Sequence, residues 1–296
     1  MTSDNSIASD IVGLSASHPL SRRTFMSASA AAAAGYTLAA GPVMADVVTT
    51  DTTGLAAGDA FAKVADGEMP VYFARPETVA KPPIVLVAME IFGLHAYIKD
   101  VTRRLGKLGA FAVAPDYYFR KGDLAKISGV DQLMPLVNSK PDSELISDLD
   151  AAVRWAVAQG GDASRIGIIG FCRGGRTVWE YCAASSQIKA GVAFYGSLVD
   201  PEPQKTIWPK SPTELASEMK VPVLGLYGGE DKGIPVAQVE AIKAALAAAG
   251  KTAQFKIYPS APHGFHADYR PSYREDVAKE AWAEMTAWLK KWHVLD

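Results

Sequence analysis

A strand that breaks into a sharp turn and resumes as a helix leaves a chain few folds, and this one carries such a turn within Arg165–Arg176. Ile166 to Ile169 is a short apolar run, which reads as a buried parallel strand. Gly170-Phe171-Cys172-Arg173-Gly174 interrupts it, and a helical pattern follows from Gly175 to Ala184. Glycines two positions before and after a nucleophilic side chain let strand and helix backbones cross at close range. The central side chain is lifted out at the carboxyl edge of the sheet. Here it is a thiol, Cys172, where serine is more usual. The amide N–H of Arg173 would then lie at a helix N-terminus, aimed where an oxyanion forms. A lone cysteine is also an ordinary small buried side chain, so the reading depends on its surroundings.

The flanking segments alternate in the matching way. Met69 to Ala74 reads as an antiparallel edge strand, after a mixed stretch with a turn at Thr50–Gly54. Ile84–Ala88 is continuously apolar, a central strand, and Glu90–His95 is the loop at its carboxyl end. Ala96–Leu108 has helical spacing, Phe111–Ala114 is a strand, and Pro115–Arg120 leaves it as a loop. Gly122–Asp142 is polar and irregular and reads as a cover over the site. Glu144–Gln159 is an amphipathic helix. Beyond the turn come a strand at Lys189–Tyr195, a proline-rich loop over 197–219, a strand at Val221–Tyr227 and a helix at Ile234–Ala249. A strand at Ala253–Tyr258 and a helix at Ser272–Trp292 close the chain. Strands alternating with helices predict an α/β fold, a mostly parallel central sheet with helices on both faces.

The first 45 residues read as a leader and not as fold. Ser21-Arg22-Arg23-Thr24-Phe25-Met26 is a twin-arginine pattern, an Ala-rich apolar run covers Ser27 to Ala40, and Val43 and Ala45 suit cleavage after Ala45. The expectation is a periplasmic or secreted protein, with residues 46–296 as its single domain. The apolar run is shorter than the ~20 residues a spanning helix needs. No membrane partner is expected once the leader is removed. A net charge of −2 gives no argument for nucleic acid. Cys172 and Cys182 are the two cysteines, ten positions apart across a turn and a helix, too far to bridge. No His/Cys cluster has metal-ligand spacing.

A thiol nucleophile needs a base within reach and a group to orient that base. In this fold the chain order is nucleophile, acid, histidine. Gly228-Gly229-Glu230-Asp231 follows the strand 221–227, and Pro262-His263-Gly264-Phe265 follows the strand 253–258. Both fall at carboxyl ends of strands, the edge where Cys172 emerges. Asp231 would orient His263, which would take the thiol proton. His266 is the rival base and Glu230 the rival acid, with Asp200 and Asp268 behind it.

Gly-Phe-Cys172-Arg-Gly-Gly, Gly-Glu-Asp231 and His263-Gly-Phe, with Met89-Glu90-Ile-Phe-Gly-Leu upstream, together resemble the dienelactone hydrolase family over roughly residues 69–292. The resemblance implies an α/β-hydrolase fold, hydrolysis of a small ester or lactone, no cofactor and no metal. It implies Cys172, Asp231 and His263 as catalytic residues and the amides of Ile91 and Arg173 as an oxyanion hole. Glu90 corresponds to a buried carboxylate that gates the thiol, and Arg120 to an arginine that binds the substrate carboxylate. A second carboxylate-binding arginine of the family falls on Ala267, with Arg270 three residues on. The dienelactone itself is therefore not implied as substrate. Two other readings stay open. One is a serine esterase using Ser197 or Ser260, neither of which lies in a G-x-S-x-G turn. The other is a non-catalytic relative that binds a small ligand or partner. The absence of C-x-x-C leaves no thiol redox motif.

Overall fold

The computed structural model describes residues 48–127, 129–200 and 206–296. The leader expected over residues 1–45, with its cleavage point, lies outside them. The strands are β1 (Leu55–Val64), β2 (Gly67–Pro76), β3 (Pro83–Ala88), β4 (Phe111–Pro115), β5 (Asp162–Phe171), β6 (Ala190–Phe194), β7 (Val223–Gly228) and β8 (Ala253–Tyr258). They form one sheet in the order β1-β2-β4-β3-β5-β6-β7-β8. From β4 onward every pairing is parallel; β1 with β2 and β2 with β4 are antiparallel. The helices are α1 (Ala96–Lys107), α2 (Val130–Asn138), α3 (Asp142–Ala158), α4 (Arg173–Ala184), α5 (Val236–Ala248) and α6 (Glu275–Lys291). They cover both faces of the sheet, as the alternating pattern predicts.

The central strands explain why their sequences lack alternation. All six residues of β3 and all five of β4 and of β6 are buried, because helices cover them from both sides. In α1, Tyr97, Ile98, Val101 and Leu105 fall on one face at helical spacing and turn into the core. Parallel crossovers bring the end of each strand to the same edge. The loops after β3, β5, β7 and β8 therefore open together.

Two expectations change. Met69–Ala74 belongs to an antiparallel strand, but β2 is not the edge: β1 pairs outside it, from Leu55↔Pro76 to Val64↔Gly67. The β1 sequence, Leu-Ala-Ala-Gly-Asp-Ala-Phe-Ala-Lys-Val, is rich in alanine, a weak strand former. Its pairing comes from the tight hairpin at Ala65-Asp66. The irregular stretch 122–142 contains α2, whose Leu133 and Val137 are buried. Pro135 inside that helix, and its shortness, hid it.

Candidate active site

The turn at Cys172 is a close crossing of backbones. A Cβ at Gly170 would lie 2.2 Å from the Gly174 carbonyl oxygen, and one at Gly174 would lie 2.0 Å from the Ala88 oxygen. Neither position admits a side chain, which is why both are glycine. Cys172 itself sits at φ 56°, ψ −116°, a region that non-glycine residues rarely adopt. Its N–H donates to the Phe194 carbonyl on β6 at 3.0 Å, and its own carbonyl accepts from Gly175 at 2.9 Å. These bonds hold the strained residue between β6 and the first turn of α4.

Asp231 and His263 are in contact at the carboxyl edge of the sheet. His263 Nδ1 and Asp231 Oδ2 are 2.7 Å apart. The other carboxylate oxygen, Oδ1, accepts from the N–H groups of Gly233 and Ile234 at 2.9 and 3.1 Å. The acid is thus fixed by its own loop. Burial alone would depress the imidazole, but the Asp231 carboxylate and then the Cys172 sulfur, which also hydrogen-bonds the ring, raise it to about 10. The loops of acid and base are pressed together. A Cβ at Gly228 would lie 2.2 Å from the Ala261 oxygen, and one at Gly229 would lie 2.5 Å from the Pro259 oxygen. Gly229 N–H and Glu230 N–H donate across the same seam to Tyr258 and Ala261, at 2.8 and 3.0 Å.

The rivals lie elsewhere. His266 is buried with Nδ1 2.7 Å from the Tyr97 hydroxyl, and burial together with Arg104 pulls it down to about 3. Glu230 is exposed, Asp268 pairs with Arg104, and Asp200 pairs with Arg176. Ser260 is exposed, and the Ser197 hydroxyl donates to the Val199 carbonyl.

Glu90 and Ile91 follow β3 directly and are both buried. The close contact of Gly174 with the Ala88 and Met89 carbonyls packs the start of α4 against this loop. The amides of Ile91 and Arg173 thereby come from two backbones in direct contact. The Tyr117 hydroxyl donates to the Met89 carbonyl at 2.8 Å and steadies the same loop. Glu90 accepts from Arg270 Nη2 at 2.9 Å and from the Tyr269 hydroxyl at 2.7 Å, and His95 Nε2 is 3.3 Å away. Burial would push its carboxyl up. Arg270, with His95 and Tyr269 behind it, holds it down at about 2. Arg270, three residues beyond Ala267, is thus paired with this buried carboxylate. Of these partners, His95 and Tyr269 carried no sequence signal beyond lying in the two loops.

Arg120 is committed to carboxylates. Nε and Nη2 donate to Asp66 at 2.8 and 2.6 Å, and Nη1 donates to Glu144 and Asp148 at 3.0 and 2.8 Å. Lys140 joins the cluster through Glu144 and Asp148, both at 2.7 Å. Among the described residues no group of three or more His, Cys, Asp or Glu is placed to hold a metal ion, and no helix is long and apolar enough to cross a membrane.

The chain matches the sequence model described as the dienelactone hydrolase family over residues 69–293. It is 47% identical over 288 residues, 96% of this chain and 98% of the other, to a candidate carboxymethylenebutenolidase of Methylorubrum extorquens. A candidate carboxymethylenebutenolidase of Escherichia coli is 42% identical over 260 residues, 87% of this chain and 95% of its own. The crystal structure of a candidate dienelactone hydrolase from Klebsiella pneumoniae superposes with a TM-score of 0.78 at 44% identity, covering 80% of this chain and 99% of that one.

Proposed function

Since the chain belongs to the dienelactone hydrolase family, hydrolases of lactone and ester bonds, we propose that it cleaves its substrate through a thioester on Cys172. The observation that carries this reading is the alignment of Asp231, His263 and Cys172 at one edge of the sheet. Asp231 fixes the imidazole so that His263 faces the sulfur, and the raised imidazole favours taking the thiol proton. The sulfur attacks the carbonyl carbon. The carbonyl electron pair moves to oxygen, and that oxyanion is received by the amides of Ile91 and Arg173. Collapse breaks the C–O bond of the ester or lactone, and His263 returns its proton to the leaving alkoxide. Water then gives His263 a proton and attacks the thioester, releasing the carboxylic acid and restoring the thiol.

Glu90 enters this scheme as an ionised carboxylate held by Arg270, Tyr269 and His95. It gates the thiol only when a substrate group draws one of those partners away. Arg120 binds a substrate carboxylate by exchanging Asp66, Glu144 or Asp148 for it. The twin-arginine stretch supports export of the folded protein. Replacing Arg22 and Arg23 together by lysine should leave the protein in the cytoplasm, and unchanged fractionation would remove that reading.

The central test is Cys172→Ala against p-nitrophenyl acetate and a panel of small lactones. Hydrolysis should fall to background, and mass spectrometry of rapidly quenched wild type should find the acyl group on Cys172. Full activity in the variant would end the proposal.

A further inference from the structure

Trp208 lies outside the triad, on the long segment after β6, and is buried. The guanidinium carbon of Arg173 is 4.0 Å from the centroid of its ring, and that of Arg176 is 4.5 Å. Its indole N–H donates to the Lys140 carbonyl at 2.9 Å, just before α3. Arg176 is fixed in turn by Asp200, at 2.7 Å from Nε, and by Asp142 in the first turn of α3, at 3.0 Å from Nη1. Glu180, one turn on in α4, pairs with the same guanidinium. The ring therefore ties together the segment after β6, the start of α3 and the first turn of α4. Two like charges over one indole repel, and the carboxylates of Asp142, Asp200 and Glu180 offset that repulsion.

Among the described residues the Arg173 guanidinium makes one further hydrogen bond, within the field of Asp142 and Asp200. That bond runs from Nε to the Tyr118 hydroxyl at 3.3 Å, long for a hydrogen bond. Yet the N–H of Arg173 belongs to the peptide whose direction is set by ψ of Cys172, −116° beside a φ of 56°. A backbone conformation of that kind persists only where its surroundings over-determine it. The Cys172 bonds to Phe194 and Gly175 fix one side of this peptide. The stack on Trp208 fixes the side chain on the other.

We propose that Trp208 is a positioning residue for the oxyanion hole: by clamping the Arg173 side chain, it keeps the Cys172–Arg173 peptide turned so that its N–H faces the reacting carbonyl. The proposal rests on Cys172 being the nucleophile and the Arg173 amide an oxyanion donor. A clamp of this kind acts on the transition state and not on substrate binding. It also leaves the contact between Cys172 and His263 alone.

Trp208→Leu removes the ring face, and Trp208→Phe keeps a face while losing the bond to Lys140. With active sites counted by titration of the reactive thiol, kcat per site for p-nitrophenyl acetate should fall about tenfold in Trp208→Leu, with KM within about twofold. Trp208→Phe should recover most of the loss. A trifluoromethyl ketone, which forms a tetrahedral adduct on a thiol, should bind weaker by the same factor as kcat. Iodoacetamide should alkylate Cys172 at a rate within about twofold of wild type in both variants. Unchanged kcat per site, a loss carried by KM, or a fall in kcat without weaker ketone binding would each overturn the clamp. If Trp208→Leu does not fold, Trp208→Phe carries the test, with kcat about threefold down and ketone binding following it. Wild-type hydrolysis that survives complete alkylation of Cys172 would defeat the thiol reading itself, an outcome distinct from failure of the clamp.

Discussion

Replacing Cys172 by glycine and by alanine separates the strain of the turn from its chemistry. Both substitutions remove the sulfur, so both should abolish hydrolysis. They differ in backbone freedom. At φ 56°, ψ −116° a residue with a Cβ is strained by ~1–3 kcal/mol. Alanine keeps that strain and glycine relieves it. Glycine also gives the unfolded chain more freedom, which offsets ~0.5–1 kcal/mol of the relief. The net expectation is that Cys172→Gly is more stable than Cys172→Ala by ~1 kcal/mol. In a folded unit of this size that is ~2–4 °C in Tm. Urea denaturation at fixed pH under reducing conditions reads the difference directly, as a shift of midpoint at constant slope. An alanine variant as stable as the glycine variant would show that the native turn stores no strain at Cys172.

Other expectations follow from the neighbouring groups. His263 is raised from 6.5 to about 10 in the folded protein, so its contribution to stability is complete below pH 6.5 and is lost as pH climbs to about 10. Urea midpoints of wild type should decline over that window, Asp231→Asn should flatten the decline, and parallel curves would contradict the assigned pair. Glu90 is lowered from 4.5 to about 2, so its contribution is present above pH 4.5 and is lost as pH falls toward 2. Glu90→Gln leaves Arg270 buried without its counter-charge and should destabilise by ~3–5 kcal/mol, and combining it with Arg270→Gln should cost less than the sum of the two. Additive losses in that cycle would mean the two side chains do not interact. Gly174→Ala drives a Cβ to 2.0 Å from the Ala88 oxygen, and a destabilisation below ~3 kcal/mol by thermal melting would contradict so tight a crossing.

The parallel half of the sheet was legible because buried strands announce themselves as continuous apolar runs, as in Ile84–Ala88 and Ala190–Phe194. The Cys172 turn was legible because steric exclusion leaves glycine as the only residue at 170 and 174. Asp231 and His263 could be placed because strand ends define the edge where they must lie. What was hidden depends on three-dimensional pairing. The β1 strand is held by its hairpin partner and not by its alanines. Nothing in the sequence around Arg270 tells that its guanidinium turns back to Glu90, 180 positions earlier. The occupation of Arg120 by Asp66, Glu144 and Asp148 is likewise a fact of folding, since two of those acids sit on a helix and the third in a hairpin.

The seam between the Gly228-Gly229 loop and the residues before His263 has a consequence for how the protein fails. Backbone there lies directly on backbone, so carboxylate and imidazole ride as one rigid piece on β7 and β8. The sulfur rides on another, β5 with α4, and β6 stands between the two. Loosening the sheet along β6 therefore parts the thiol from an acid–base couple that is still intact. Heat would silence such an enzyme by divorce of its halves, well before either half had melted.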